Sequence, residues 1–223
     1  MKGRPSAPRP RLTGEFAAGD SGHGLGWGLF LRIPGSVGSS FCDVTILLLF
    51  NCSSFYLQQR SATKVTFPSV WSNSGCSHPL YRESELIQEN DLGVRNAAQR
   101  KLLDELGIPA EDAPVDQFTP VGRMLYMAPS AGKWSEHERT HILFLVRDVK
   151  LRPNPDEVAG VRYVSREQLE ELVRKADAGE DGVKLSPWFR LMADNLLIGW
   201  WDHLEKGTLS EAADMQTIHS LKE

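Results

Sequence analysis

Within residues 60–79 (R-S-A-T-K-V-T-F-P-S-V-W-S-N-S-G-C-S-H-P) a basic pair, two aromatics and a Cys-x-His couple share twenty positions. Cys76 and His78 are the reactive types. A thiolate becomes a nucleophile or proton carrier when cationic neighbours lower its pKa, whereas a structural zinc site needs two more Cys or His ligands at suitable spacing, and none lies nearby. The bland alternative, a buried thiol beside a surface imidazole, stays open. Arg60 and Lys64 are four apart in a segment that runs into Phe67-Pro68, so they do not form a simple helical face; a forked guanidinium plus a point-charge ammonium suits a phosphate or diphosphate. Further on, Glu136 and Glu138 flank His137 at the start of an expected strand, where i,i+2 spacing aims both carboxylates at one face. Two such carboxylates repel unless a cation lies between them. Together with His78 they make an oxygen-rich donor set that suits Mg2+ or Mn2+ better than Zn2+. A solvated acid pair is the competing reading.

The elements that must position these groups follow from the pattern. Residues 44–50 (V-T-I-L-L-L-F) form a short apolar run typical of a strand buried on both faces, and 55–59 are the returning strand. Residues 94–106 repeat Val94, Ala97, Ala98, Leu102 and Leu106 at helical spacing, with Gly107 and Pro109 as stops. The opposite side of that helix carries Arg100, Lys101, Asp104 and Glu105, which read as a solvated face with i,i+4 ion pairs. Strands are expected over 117–127, 141–149 and 161–164, with a loop over 129–135. Ser165-x-x-Gln168 is a capping box for a helix to about Ala176. Ser186-Pro187 opens another helix that buries Trp188, Leu191, Met192 and Trp201 and stops before Gly207. The tail reads as polar and partly helical. This order predicts a mixed α+β or α/β sandwich.

The 223 residues, 41% hydrophobic and 24% charged, suit one globular domain. A net charge of -4 excludes the global basic field of a nucleic-acid binder. Three cysteines (Cys42, Cys52, Cys76) give no disulfide framework and point to a reducing compartment. The longest apolar run, 46–50, is too short to span a bilayer. Residues 1–43 differ from the rest: basic and acid-free at first, then glycine-rich without periodicity. They read as a divergent flexible leader, a transit segment or an artefact of a wrong first exon, with 44–223 as the folded domain.

Four motifs carry a specific resemblance: Q-R-S-A-T-K-V-T-F-P-S-V-W-S-N-S-G-C-S-H-P-L, A-A-Q-R-K-L-L-D-E-L-G-I, G-K-W-S-E-H-E and L-S-P-W-F-R. In order and with nearly uninterrupted spacing over about residues 57–218, the chain resembles type I isopentenyl-diphosphate delta-isomerases, the plant form above all. The resemblance implies a Nudix-like fold, a mixed sheet sandwiched by helices. It implies a small-molecule substrate, isopentenyl diphosphate, converted to dimethylallyl diphosphate by protonation at C4 and deprotonation at C2, in a monomer of the cytoplasm or plastid. By position, Cys76 matches the catalytic cysteine, Glu138 the catalytic glutamate and metal ligand, and Tyr126 a tyrosine assisting it. His78, Glu136 and Glu138 match metal ligands, and Glu105 a glutamate holding a Mg2+ that bridges to the diphosphate. Arg60, Lys64 and Ser77 match substrate contacts, and Trp188 a wall of the hydrocarbon pocket. Moving the double bond needs an acid and a base on opposite sides of the prenyl group, which Cys76 and Glu138 would supply.

Upstream of residue 57 the pattern departs. Cys42 falls where the family has its second N-terminal histidine ligand, and His23 has the wrong spacing for the first, so a weakened metal site and slow turnover are expected. That leaves a non-catalytic prenyl-diphosphate binder as an alternative class. A Nudix hydrolase is disfavoured: with the signature aligned on Gly107, Leu86, Leu92 and Lys101 replace a glycine and two acids.

Overall fold

The computed structural model describes residues 42–51, 53–130 and 135–221. Among these, eight strands form one mixed sheet: β1 (Cys42–Phe50), β2 (Phe55–Arg60), β3 (Trp71–Ser72), β4 (Gly75–Ser77), β5 (Thr119–Pro129), β6 (Ser135–Val146), β7 (Val158–Val164) and β8 (Asp214–Leu221). The order is β3-β2-β1-β6-β5-β8, with β4 also paired to β1 and β7 to β2. The helices are α1 (Leu92–Leu106), α2 (Arg166–Ala178), α3 (Pro187–Met192) and α4 (Ile198–Glu205), the last two joined by a π turn over Ala193–Leu197. The expectations at Cys52, at His23, for the Cys42 side chain and for a leader over the first 41 residues lie outside the described residues.

The V-T-I-L-L-L-F run is explained by burial on both sides of the sheet. Ile46, Leu48 and Phe50 point into one core with Phe55, Phe144, Trp188 and Trp201. Leu47 and Leu49 point into the other with Ala98, Leu102, Leu106 and Tyr56. β1 runs parallel to β6, and a strand parallel to its neighbour with both faces covered reads as continuous apolar sequence rather than alternation. The expected strand pair 44–50/55–59 is present, and Asn51 closes its turn by accepting from the Ser53 and Ser54 N–H groups.

α1 begins two residues before the expected start and ends as its sequence dictates. Gly107 takes the left-handed conformation (φ 63°), and a Cβ there would lie 2.7 Å from the Arg152 carbonyl. The Ser165–Gln168 capping box is complete. Three expectations are corrected. The strand expected over 141–149 begins at Ser135 and ends at Val146, so Glu136 and Glu138 sit inside it. The tail is not helical: Asp214–Leu221 is a strand parallel to β5, held by backbone pairing on the sheet edge while most of its side chains stay exposed. The charged side of α1 is not simply solvated either, because Glu105 is buried.

Candidate active site

The focal segment folds back through β3 and β4 onto the central strands. β4 lies antiparallel to β1, with Ile46 opposite Cys76. Alternation along β4 then sends Cys76 to the pocket and Ser77 the other way. The Ser77 hydroxyl donates to the Ala97 carbonyl of α1 (3.0 Å) and is buried there. β6 flanks β1 on its other side, and β5 pairs antiparallel to β6 with Tyr126 opposite Glu138.

These elements enclose an open cavity of about 340 Å3. Arg60, Lys64, Cys76, His78, Glu105, Tyr126, Glu136, Glu138 and Trp188 all line it, so residues far apart in sequence, from β2 to α3, meet in one place. Ser77 does not line it, and a side-chain contact from Ser77 to a bound molecule is not what this arrangement offers.

Glu136 and Glu138 do face the same way. The Tyr126 hydroxyl is 2.8 Å from Glu136 Oε2 and 2.6 Å from Glu138 Oε2, and His78 Nε2 is 3.2 Å from Glu138 Oε1. Burial first, and then the charge of Glu138, push the Glu136 carboxyl above its ordinary range. The Tyr126 hydroxyl is raised well above its own, by burial and then by the charges of Glu138 and Glu136. The Tyr126 hydroxyl donates toward both carboxylates, so its one proton is shared between Glu136 and Glu138. Burial also raises the Cys76 thiol to about 12, so the sulfur enters the site as S–H and not as a preformed thiolate.

The cationic side is more committed than its sequence suggested. Arg60 donates from Nε to the Phe67 carbonyl (3.0 Å) and from Nη2 to the Thr66 carbonyl (2.9 Å), and its guanidinium lies 5.4 Å from the Trp188 ring centre. It therefore also holds the loop in which Phe67 adopts a left-handed backbone (φ 46°). Lys64 pairs with Glu157 at 2.5 Å, and Lys101 with Glu105 at 3.1 Å. Glu105 accepts in addition from Gln58 Nε2 (3.0 Å). Burial disfavours the Lys101 charge, but Glu105 and Glu157 outweigh it and raise its pKa.

For a divalent cation the donor types fit: one imidazole nitrogen and two carboxylates on one face, whose mutual repulsion a cation would relieve. Among the described residues, however, no three His, Cys, Asp or Glu side chains converge as a ready coordination group.

Sequence reasoning missed several participants. Arg100 reaches past its expected partner Asp104 (3.5 Å) to the buried Glu85 (2.7 Å), and its Nη2 also donates to the His78 carbonyl (3.0 Å), so this pair braces the loop that carries His78. Glu85 is not at helical spacing from Arg100, so no local pattern reveals the pair. Asn73 and Glu157 were likewise overlooked, the first for want of charge, the second because its loop is 93 residues from Lys64.

The NUDIX domain family matches residues 42–189. The chain is 73% identical over 177 residues to isopentenyl-diphosphate delta-isomerase II of Clarkia xantiana, covering 79% of this chain and 61% of that protein. It is 73% identical over 176 residues to the chloroplastic isopentenyl-diphosphate delta-isomerase II of Arabidopsis thaliana (78% and 62%), and 72% identical to isopentenyl-diphosphate delta-isomerase I of Camptotheca acuminata (78% and 75%). The chain thus spans about three fifths of the first two relatives. In fold it resembles a NUDIX hydrolase from Alicyclobacillus acidocaldarius (TM-score 0.52, 10% identity, 71% of this chain and 92% of that one). A Deinococcus radiodurans protein is similar in the same way (0.50, 16%, 74% and 90%).

Proposed function

This chain belongs to the isopentenyl-diphosphate delta-isomerases, within the NUDIX-domain family, and from that premise we propose that it interconverts isopentenyl and dimethylallyl diphosphate. The observation that carries the reading is the convergence of Cys76, Tyr126, Glu138 and Trp188 on one cavity with Arg60 and Lys64 at its side. The reaction adds a proton at C4 and removes one from C2, through a cation-like tertiary carbon. Cys76 on β4 and Glu138 on β6 approach from the two strands that flank β1, which suits one acid and one base on opposite faces of a small prenyl group. Cys76, held protonated by burial, has a proton to give or share; Glu138, with Tyr126 donating to it, has a carboxylate that a C2 proton can reach. The Trp188 ring, with Tyr126 and Phe67 around it at 6.0 and 5.4 Å, offers an aromatic face to the positive carbon, worth about 2 kcal/mol when water is excluded. Arg60 and Lys64 grip the diphosphate, and that remote binding energy orients the tail. For Lys64 this requires exchanging Glu157 for the anion.

The family uses a divalent metal. We assign Mg2+ to it, held by His78, Glu136 and Glu138, with Glu105 at the diphosphate side. Bound there, it would neutralise the paired carboxylates and draw the substrate's phosphate oxygens. Ser77, whose hydroxyl is taken by the Ala97 carbonyl and which does not line the cavity, serves the site by tying β4 to α1. We propose residues 44–223 as the isomerase domain, acting as a monomer, and the chloroplastic relatives support a plastid location.

Prenyl-diphosphate binding without turnover is the second reading, favoured by the incomplete donor group among the described residues. Hydrolysis gains nothing from the site, because Lys101 neutralises Glu105 where a hydrolase signature has a further acid. Incubating the protein with Mg2+ and isopentenyl diphosphate, read by proton and phosphorus NMR, separates the three. Dimethylallyl diphosphate supports the isomerase; heat on calorimetric titration with no product supports the binder; released phosphate overturns both.

A further inference from the structure

Asn73 carries no charge and no reactive atom, yet its fully buried amide joins three walls of the site. Oδ1 accepts from the Trp188 indole N–H (2.9 Å) and from the Ser72 hydroxyl (2.9 Å). Nδ2 donates to the Gly75 carbonyl (2.6 Å) and the Leu47 carbonyl (3.3 Å). The Cys76 sulfur lies 3.5 Å from both ends of the amide. The orientation is forced. An indole N–H can only donate and a backbone carbonyl can only accept, so a flipped amide would set donor against donor and acceptor against acceptor. Because the Ser72 proton points at Asn73, Ser186 at the start of α3 must donate to Ser72 (2.8 Å), which ties the helix to the same hub.

A buried amide is costly unless its partners meet it, and a leucine of similar volume would fill the space. What the amide adds over leucine is direction. Leu47 belongs to the central strand, Cys76 to β4 and Trp188 to α3, and these touch one side chain. Its neighbour Ser74 is an apt contrast. It is equally buried and also bridges strands, accepting from the Leu49 N–H (2.8 Å) and donating to the Tyr56 carbonyl (2.7 Å), but it touches neither Cys76 nor Trp188.

We propose that Asn73 is a positioning residue that fixes the Cys76 sulfur and the Trp188 indole relative to one another, so that the proton-carrying group and the aromatic face hold one geometry about the prenyl group. What those two groups do rests on the isomerase reading above; that Asn73 couples them does not. In Asn73→Ala both groups keep their places in the chain but lose their common anchor, and turnover falls while diphosphate binding, which uses β2 and its following loop, is spared.

The test uses full-length protein labelled with 5-fluorotryptophan, the Trp188 fluorine resonance being assigned from Trp188→Phe. Asn73→Ala is expected to shift or broaden that resonance and leave those of the other five tryptophans in place. It should lower kcat at least tenfold with KM for isopentenyl diphosphate within twofold. Ser74→Ala should lower the thermal midpoint and do neither. Trp188→Phe should cost less in the Asn73→Ala background than in wild type, the signature of coupled residues. An unmoved Trp188 resonance, or all six moving alike in both variants, overturns the proposal. If Asn73→Ala does not fold, Asn73→Ser removes the same acceptor and carries the same expectation; failure of both to fold assigns Asn73 a purely structural role and also overturns it. A wild-type protein without turnover refutes the isomerase reading instead, and the fluorine spectra still decide the role of Asn73.

Discussion

Replacing Tyr126 by phenylalanine removes one oxygen from the centre of the site and little else, since the ring stays packed in the core. That oxygen lies 2.6 Å from Glu138 and 2.8 Å from Glu136. A hydrogen bond to a charged partner is worth about 1.5–3 kcal/mol. If the bond to Glu138 serves in the transition state, its loss lowers kcat by roughly 10- to 150-fold, at about 1.4 kcal/mol per factor of ten. KM should hardly change, because the proposed diphosphate contacts, Arg60 and Lys64 on β2 and its following loop, are left in place. The assay is steady-state conversion of isopentenyl diphosphate followed by proton NMR, with calorimetry of diphosphate binding alongside. A Tyr126→Phe enzyme with kcat within twofold of wild type, or one whose defect lies wholly in KM, would refute the assignment of Tyr126 to the reacting group.

Glu85→Gln should lower stability by about 3 kcal/mol, because it leaves Arg100 partly buried without its carboxylate; differential scanning calorimetry reads this directly. Burial works to raise the Glu85 carboxyl, but hydrogen bonds from Arg100 and the Leu80 N–H outweigh it and hold its pKa low. Its contribution is thus complete above the unfolded value of about 4.3 and is lost as pH falls through the lower folded value, so Glu85→Gln should flatten the acid limb of the stability curve. Gly107→Ala forces a left-handed backbone and a contact with the Arg152 carbonyl, and should cost about 2 kcal/mol in urea unfolding with kcat unchanged. Arg60→Lys should raise KM and also loosen the 66–67 loop, seen as faster amide exchange there, since lysine cannot donate from the Nε and Nη2 positions that hold Thr66 and Phe67.

Much of this was legible in the sequence because local chemistry determines it. The apolar run of β1, the stop at Gly107 and the capping box at Ser165 are decided within a few residues, and each is where its pattern places it. The i,i+2 rule put Glu136 and Glu138 on one face, and the motif resemblance brought Tyr126 and Trp188 to the same site. What escaped was set by distant partners. Nothing within 66–77 reveals that β4 docks on β1 and turns Ser77 away from the cavity. Nothing in 214–221 reveals that a polar tail will find the unpaired edge of β5. Glu157 and Glu85 look like ordinary surface acids until Lys64 and Arg100 meet them. Asn73 lies in the middle of the focal segment, but an uncharged amide gives no signal until its five partners are in place.

In the proposed reaction Cys76 and Glu138 move protons on opposite faces of one prenyl group. Incubation with isopentenyl diphosphate and Mg2+ in D2O tests it most directly, with deuterium at C4 and C2 followed by NMR in wild type, Cys76→Ala and Glu138→Gln. Deuterium is expected in the wild-type product and substrate, with loss of dimethylallyl diphosphate formation in both variants. Product formation that survives Cys76→Ala, or a wild type that binds the diphosphate and exchanges nothing, would contradict it.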